Sequence, residues 1–130
     1  MRLRFVSIVF GLALWGPGCS IAGEVIINES VHLFPSEIRD TFLGEKQFAD
    51  GVRLVPVDNT TVQEAFLAKV LQTDNEKYYA RWTRKSFREG ITAPAVKRSD
   101  AEVIAFVKST RGAIGYIGRP AAGVKVLQSF

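Results

Sequence analysis

The order in which strand and helix signals follow one another is the feature that most restricts the fold of this chain. Residues 25–27 are apolar and β-branched, which predicts a strand buried on both faces. Helical segments separate it from further predicted strands over 53–57, 113–117 and 124–127. Strands that alternate with helices are typical of α/β folds. We therefore expect a three-layer α/β sandwich with a mixed sheet.

Three capping boxes indicate where helices begin. In each, a Ser or Thr hydroxyl can accept from the amide three residues later, and a Glu side chain can reach back to the cap. The boxes lie at 61–64, 73–76 and 99–102, each followed by apolar or aromatic residues. An earlier helix should begin near Pro35 and end at Gly44, because proline suits a first helical turn and glycine a helix end.

The N-terminal residues have the pattern of an export signal. Two arginines precede an apolar stretch over 5–15, which is short for a membrane span, and small residues lead to Ala22. We predict a signal peptide over 1–22, cleaved after Ala22, and a periplasmic or secreted domain over 23–130. The alternatives are a lipoprotein modified at Cys19, an uncleaved anchor or a buried strand.

The composition of residues 23–130 offers no positive case for an enzyme. Removal of Arg2 and Arg4 with the signal lowers the formal net charge from +4 to +2, which gives no argument for nucleic-acid binding. Cys19 leaves with the signal, so we expect no disulfide or thiol chemistry. His32 is the single histidine, and no nucleophile–base pair, carboxylate pair or metal cluster stands out. We therefore expect neither catalysis nor a cofactor or metal.

Seven short motifs follow one another between residues 38 and 116 and cover nearly all of the predicted mature chain. They are Ile38-Arg39-Asp40-Thr41-Phe42-Leu43-Gly44, Asp50-Gly51, Leu54-Val55-Pro56-Val57-Asp58, Glu64-Ala65-Phe66, Tyr79-Ala80-Arg81-Trp82, Phe87-Arg88-Glu89-Gly90 and Gly112-Ala113-Ile114-Gly115-Tyr116. In this order they resemble the type 2 periplasmic binding protein superfamily, in its phosphate-binding (PstS-like) branch. The resemblance implies one lobe of such a protein, related to the substrate-binding component of phosphate ABC transporters, with phosphate or another small oxyanion as ligand.

The candidate anion site lies at helix starts. Thr60 and Thr61 precede the helix after the second strand, where free amides and the helix dipole favour an anion, and Asn59 and Ser36 are further candidate donors. The resemblance implies a Ser-Gly-Thr element here, but this chain has Asp58 and Asn59 before its threonines and lacks the glycine that lets amides approach an anion. In the alternative interpretation, Thr61 only caps its helix and Ser36 is an ordinary first-turn residue.

A second candidate surface is basic. Arg81, Arg84, Lys85 and Arg88 lie at i, i+3, i+4 and i+7, which places four cations on one face of a predicted helix. Such a face suits an acidic partner, anionic lipid or a phosphate-rich polymer, although it is also the pattern of a solvated face. The alternative to solute binding is thus an envelope interaction module that contacts an acidic partner through this face.

Four aromatic residues accompany these cations, and we predict that they pack in the core: Tyr78, Tyr79, Trp82 and Phe87. The resemblance also implies an ABC permease or another envelope protein as partner, because family members deliver solute to a permease. A two-lobed binding protein holds its ligand between lobes, so a homodimer that rebuilds a cleft from two copies is a further hypothesis.

Overall fold

The computed structural model describes residues 22–130. The predicted signal peptide and Cys19 lie outside this range, apart from Ala22 at the predicted cleavage point. The described residues form seven strands and four helices, with a 3₁₀ turn before the first helix and a π-helical turn that continues the second. In chain order they are β1 (Glu24–Ile27), the 3₁₀ turn (Pro35–Glu37), α1 (Ile38–Phe42), β2 (Phe48–Ala49), β3 (Val52–Arg53), β4 (Val55–Asn59), α2 (Gln63–Phe66), the π-helical turn (Leu67–Leu71), α3 (Asn75–Glu89), β5 (Ala95–Lys97), α4 (Asp100–Ser109), β6 (Ala113–Ile117) and β7 (Lys125–Ser129).

Five of these strands form one mixed sheet in the order β5-β4-β6-β1-β7. β4 runs parallel to β5 and β6, whereas β1 runs antiparallel to β6 and β7. The predicted mixed sheet is confirmed. The sequence did not predict β5, which adds a third parallel strand beside β4.

Helices cover both faces of the sheet. Val25 and Ile27 of β1 belong to the core beneath α1, α2 and α3, whereas Ile26 belongs to the core beneath α4. Successive side chains of a strand point to opposite faces, so a strand that is buried throughout needs cover on both. The three residues are at most 1 % exposed. The predicted three-layer α/β sandwich is therefore confirmed.

Two of the predicted helix starts are close to the observed ones. Ser99 caps α4, and its hydroxyl accepts from the amide of Glu102 at 3.1 Å as predicted. At α3 the cap is Asp74 rather than Thr73, because the Asp74 carboxylate accepts from the amide of Lys77 at 2.9 Å. A carboxylate one residue further along thus replaces the predicted hydroxyl.

The predicted strand over 53–57 is interrupted at Leu54. Its first residue belongs to β3, which forms a hairpin with β2 across Asp50 and Gly51. These two residues have positive φ angles of 53° and 78°, as a tight two-residue hairpin turn requires. β4 then begins at Val55, whose amide donates to the carbonyl of Gly112 at 2.8 Å.

Candidate functional site

The parallel strands β4, β5 and β6 end at one edge of the sheet, which we call the carboxyl edge. Asn59 at the end of β4 is in register with Lys97 of β5, and β6 ends at Ile117 on the other side of β4. Open α/β sheets bind their ligands outside the carboxyl ends of the strands. The predicted site residues Asn59, Thr60 and Thr61 therefore stand at the edge where ligands bind in folds of this kind.

Asn59 is fully buried, and protein groups use both ends of its side-chain amide. The nitrogen donates to the Asp100 carboxylate at 2.9 Å and to the main-chain oxygen of Tyr116 at 3.0 Å. The oxygen accepts from the amide of Thr61 at 3.0 Å and from its hydroxyl at 2.7 Å. Asn59 thus ties β4 to β6 and α4 and holds the following loop in place.

Thr60 and Thr61 are exposed and line an open recess of about 490 Å³. Since the Thr61 hydroxyl donates to Asn59, it does not cap α2, which begins at Gln63 without a side-chain cap. The predicted capping box at 61–64 is therefore wrong. The Thr60 amide donates to the carbonyl of Lys97 at 3.0 Å, whereas its hydroxyl makes no hydrogen bond within residues 22–130 and remains a donor for a ligand.

Asp100, in the first turn of α4, accepts hydrogen bonds from main-chain amides at the carboxyl edge through its carboxylate. It accepts from the amide of Gly118 at 3.0 Å and from the amide of Arg119 at 3.2 Å, in addition to the Asn59 side chain. Consecutive main-chain amides of this kind commonly bind anions. Here the protein satisfies them from within, so an external anion has to use other donors or displace this carboxylate.

Ser36 lies apart from the other candidate donors. β1 is antiparallel to β6, so the chain leaves β1 at the opposite edge of the sheet before it reaches the 3₁₀ turn that contains Ser36. Ser36 is exposed and does not line the recess at Thr60. The structure brings Asn59, Thr60 and Thr61 together, and no hydrogen bond within the described residues joins Ser36 to them.

Asp58 points into the core beneath α3 and is only 2 % exposed. It accepts hydroxyl hydrogen bonds from Tyr116 at 2.8 Å and from Tyr78 at 3.0 Å. Burial raises the pKa of Asp58 to about 6, and the two hydrogen bonds oppose this rise. Burial, together with the facing carboxylate, also raises the pKa of both tyrosines, so their hydroxyls remain donors. Asp58 connects α3 to β6 and does not line the recess.

The surface of α3 consists of rows of residues spaced four apart. The inner row contains Tyr78, Trp82 and Ser86, and its two aromatic residues are buried as predicted. The Trp82 indole N–H donates to the main-chain oxygen of Phe42 at 3.1 Å, which connects α3 to α1. This row fixes which side of the helix faces solvent.

The next row around α3 contains Tyr79, Thr83 and Phe87, and we call it the aromatic row. Tyr79 is 56 % exposed and Phe87 is 90 % exposed, so the prediction that both pack in the core is wrong. The reason is helical geometry, because each residue turns the side chain by about 100° and carries these two away from the inner row.

The four predicted cations fall into two separate rows. Arg81 and Lys85 both donate to the Glu45 carboxylate, at 3.1 Å and 3.2 Å. These two bonds, that of Lys85 first, lower the pKa of Glu45. Arg84 and Arg88, which we call the cation row, are exposed and make no ion pair within residues 22–130. The predicted face is thus divided into a neutralised half and a half whose charge is directed to solvent.

Other kinds of site find no support in the described part of the chain. Within residues 22–130, no three His, Cys, Asp or Glu side chains come together in a way that could hold a metal ion. Over the same range, each helix is too short or too polar to cross a bilayer. His32 is exposed in the loop before the 3₁₀ turn, where its ring lies edge-on to Phe34.

Sequence reasoning missed two residues that shape these surfaces. Asp100 was assigned only to a helix start, and nothing in its neighbours in sequence indicates that its carboxylate reaches the amides of Gly118 and Arg119. Glu45 directly follows Gly44, the predicted helix end, and its pairing with α3 depends on the approach of α1 to that helix. The signal available in the sequence for this ion pairing was an acidic residue directly after the end of a helix.

Neither a protein-family model nor a curated protein matches this sequence. Several solved chains share its fold, among them the following two. One is an ABC-type phosphate transport receptor from Vibrio cholerae, with a TM-score of 0.50 and 13 % identity over 83 % of this chain and 46 % of that chain. The other is PstS from Borrelia burgdorferi, with a TM-score of 0.54 and 16 % identity over 83 % of this chain and 47 % of that chain.

At these identities the likeness concerns the fold alone. The chain spans about half the length of each of the two structures. The expected fold, a mixed α/β sheet that matches a single lobe of a PstS-like periplasmic binding protein, is confirmed. Neither of the two neighbours is named as an enzyme.

Proposed function

We propose that residues 23–130 form a solute-binding domain of the cell envelope that binds phosphate or another small oxyanion at the carboxyl edge. The fold carries this proposal, because 83 % of the chain follows the fold of a phosphate transport receptor. The recess lined by Thr60 and Thr61 opens at the edge of the sheet where α/β folds bind ligands.

The groups available to an anion in this recess are few. The Thr60 hydroxyl is one donor, and the first amides of α2, which begins at Gln63, have no carbonyl partner within the helix. The Glu64 carboxylate lines the same recess, and Asp100 lies behind Asn59, so both oppose a negative ligand. We therefore expect weak binding, with a Kd on the order of 1 mM, or about −4 kcal/mol.

Thermal unfolding with sodium phosphate against sodium chloride at equal ionic strength tests this proposal. Phosphate at about 20 times its Kd adds about 1.8 kcal/mol, which raises the Tm of a domain of this size by roughly 7 °C or more. Thr60→Val removes the donor with little change of shape and should abolish most of this rise. Thr83→Val, on the outer side of α3, is the matched control and should leave it intact. An unchanged Tm of the wild type, or an equal rise in Thr60→Val, contradicts the proposal.

The proposal also places the domain in the periplasm or outside the cell, with an ABC permease or another envelope protein as the recipient of the ligand. Mass spectrometry of protein from the producing cell should find a chain that begins at Gly23. A lipid-modified terminus at Cys19 would support the lipoprotein alternative, and an intact Met1 would contradict removal of a signal.

A second copy of the chain is our proposed means of closing the recess. Two-lobed binding proteins enclose their ligand between facing lobes, and the recess at Thr60 is open. Light scattering should then show a larger fraction of dimer with phosphate than without. A monomer under both conditions contradicts this dimer, while the thermal-unfolding test of phosphate binding is unaffected by that result.

A further inference from the structure

The outer side of α3 carries an apolar and a charged row next to each other. Tyr79 and Phe87 of the aromatic row each precede a member of the next row by one residue, and that row contains Arg84 and Arg88. Both aromatic side chains are more than half exposed, and Phe87 is almost completely so. Exposed aromatic side chains beside a charged rim are typical of interaction surfaces rather than of ordinary solvated helices.

A recess lies beside the aromatic row, between α3 and the segment before β5. Its volume is about 470 Å³. Its lining is mostly apolar and comes from both elements: Tyr79, Trp82, Thr83, Ser86, Phe87 and Ala93. The recess is wide open on its outer side, so it suits one inserted apolar side chain of a macromolecule better than an enclosed small ligand.

The charge on the other side of the aromatic row from this recess is positive. Glu45 pairs with Arg81 and Lys85 in the row next to the cation row, whereas Arg84 and Arg88 pair with no carboxylate within residues 22–130. Both free cations are arginines, whose planar guanidinium groups bind carboxylates through two parallel hydrogen bonds. A partner that fills the recess and pairs with these arginines therefore has to cross the aromatic row at Phe87, with Asp or Glu a few residues from the side chain that enters the recess.

We propose that this outer side of α3 docks an acidic protein segment, which inserts one apolar side chain beside Phe87 and pairs its carboxylates with Arg84 and Arg88. Tyr and Arg are among the residues that dominate the energetics of protein interfaces. An anionic membrane surface fits less well, since such surfaces select clusters of about four to eight cations and need no recess. This docking is independent of oxyanion binding at the carboxyl edge.

Selection from a phage-displayed library of random peptides on the purified protein tests the proposal without knowledge of the natural partner. Enriched peptides should carry Asp or Glu within a few residues of Leu, Phe or Trp. The most enriched peptide, synthesised and titrated by fluorescence anisotropy, should bind Phe87→Ala at least about tenfold more weakly, as expected for a central interface residue. The double variant Arg84→Glu with Arg88→Glu should show a similar loss.

The matched control is the double variant Arg98→Glu with Arg111→Glu, which makes the same charge change at two exposed arginines elsewhere. It should bind the peptide within about twofold of the wild type, because only screened long-range charge is altered. Melting curves of all variants establish that each is folded before its affinity is compared.

The proposal is overturned if no peptide is enriched above the empty support or if the enriched peptides show no acidic bias. It is equally overturned if the control variant loses as much affinity as the Arg84 and Arg88 variant. The last measurement is the binding of the protein to vesicles of phosphatidylglycerol in phosphatidylcholine. If they bind the wild type with the expected dependence on Phe87 and the two arginines while peptides do not, the partner is a lipid surface and the proposal fails.

Discussion

Replacement of Asp58 by asparagine tests the buried carboxylate between α3 and the sheet. Asp58 is 2 % exposed and its hydrogen-bond partners are the hydroxyls of Tyr78 and Tyr116. Burial raises its pKa from the ordinary 3.8 to about 6. This difference in pKa corresponds to about 3 kcal/mol between the protonated and ionised forms. Asp58→Asn keeps an acceptor oxygen and the side-chain volume but removes the charge.

The direction of the pH dependence follows from the raised pKa. Because the folded protein holds this proton more tightly than the unfolded chain, the stabilisation from protonated Asp58 is fully present below about pH 4. It is lost as the pH rises through about 6, where the buried group ionises in the folded state. Asp58→Asn has no carboxyl group at this position, so its stability does not fall in this way as the pH rises. Its free energy of unfolding should therefore increase relative to the wild type by about 2.4 kcal/mol between pH 4 and pH 7.

Urea unfolding of both proteins across this pH range measures the difference directly. Other carboxylates titrate alike in the two proteins and cancel in the comparison. Asp40→Asn, which removes an exposed carboxylate from α1, is the control, and its difference from the wild type should stay within about 0.5 kcal/mol throughout. A flat difference for Asp58→Asn refutes the reasoning. If the free energy of unfolding of the wild type instead increases relative to that of the variant as the pH rises, the two tyrosine hydrogen bonds outweigh burial.

Two further predictions concern packing and backbone strain. Phe66 is fully buried, and its ring stacks on that of Tyr116 with centroids 3.8 Å apart, so Phe66→Ala should lower the free energy of unfolding by about 3–5 kcal/mol. A loss below about 1 kcal/mol in urea would contradict this packing. A Cβ on Gly112 would overlap the carbonyl oxygen of Arg53 at a φ of +80°, whereas Gly90 has a φ of +69° and nothing within 4 Å. Gly112→Ala should therefore destabilise the protein clearly more than Gly90→Ala, which should cost about 1 kcal/mol, and equal losses would contradict the close approach.

Most of the fold was predictable because its signals are local. The strands β1 and β6 are continuous apolar runs, and two of the three helix starts carry capping residues close to the observed caps. The start of α2 was not predictable in the same way, because Thr61 does not cap it. The Thr61 hydroxyl donates to the side-chain oxygen of Asn59, two residues earlier, instead of capping the helix. Asparagine side chains commonly form such local hydrogen bonds in turns.

The surfaces were harder to predict because they depend on helix phase and on long-range contacts. The aromatic residues of α3 are too widely spread around the helix to share one buried face, so only Tyr78 and Trp82 are in the core. The division of the cations depends on Glu45, which lies 36 residues before Arg81 in the chain. The carboxylate of Asp100 reaches across the carboxyl edge, a contact between α4 and the loop after β6 that no local pattern encodes.

The most direct test of oxyanion binding at the carboxyl edge is an NMR titration of isotope-labelled protein with sodium phosphate at constant ionic strength. We predict that the amides of Thr60, Thr61 and residues 62–65 shift together and saturate with one Kd, while the amide of Phe87 does not move. Shifts that fail to saturate, or that saturate only at residues away from this edge, would contradict phosphate binding there.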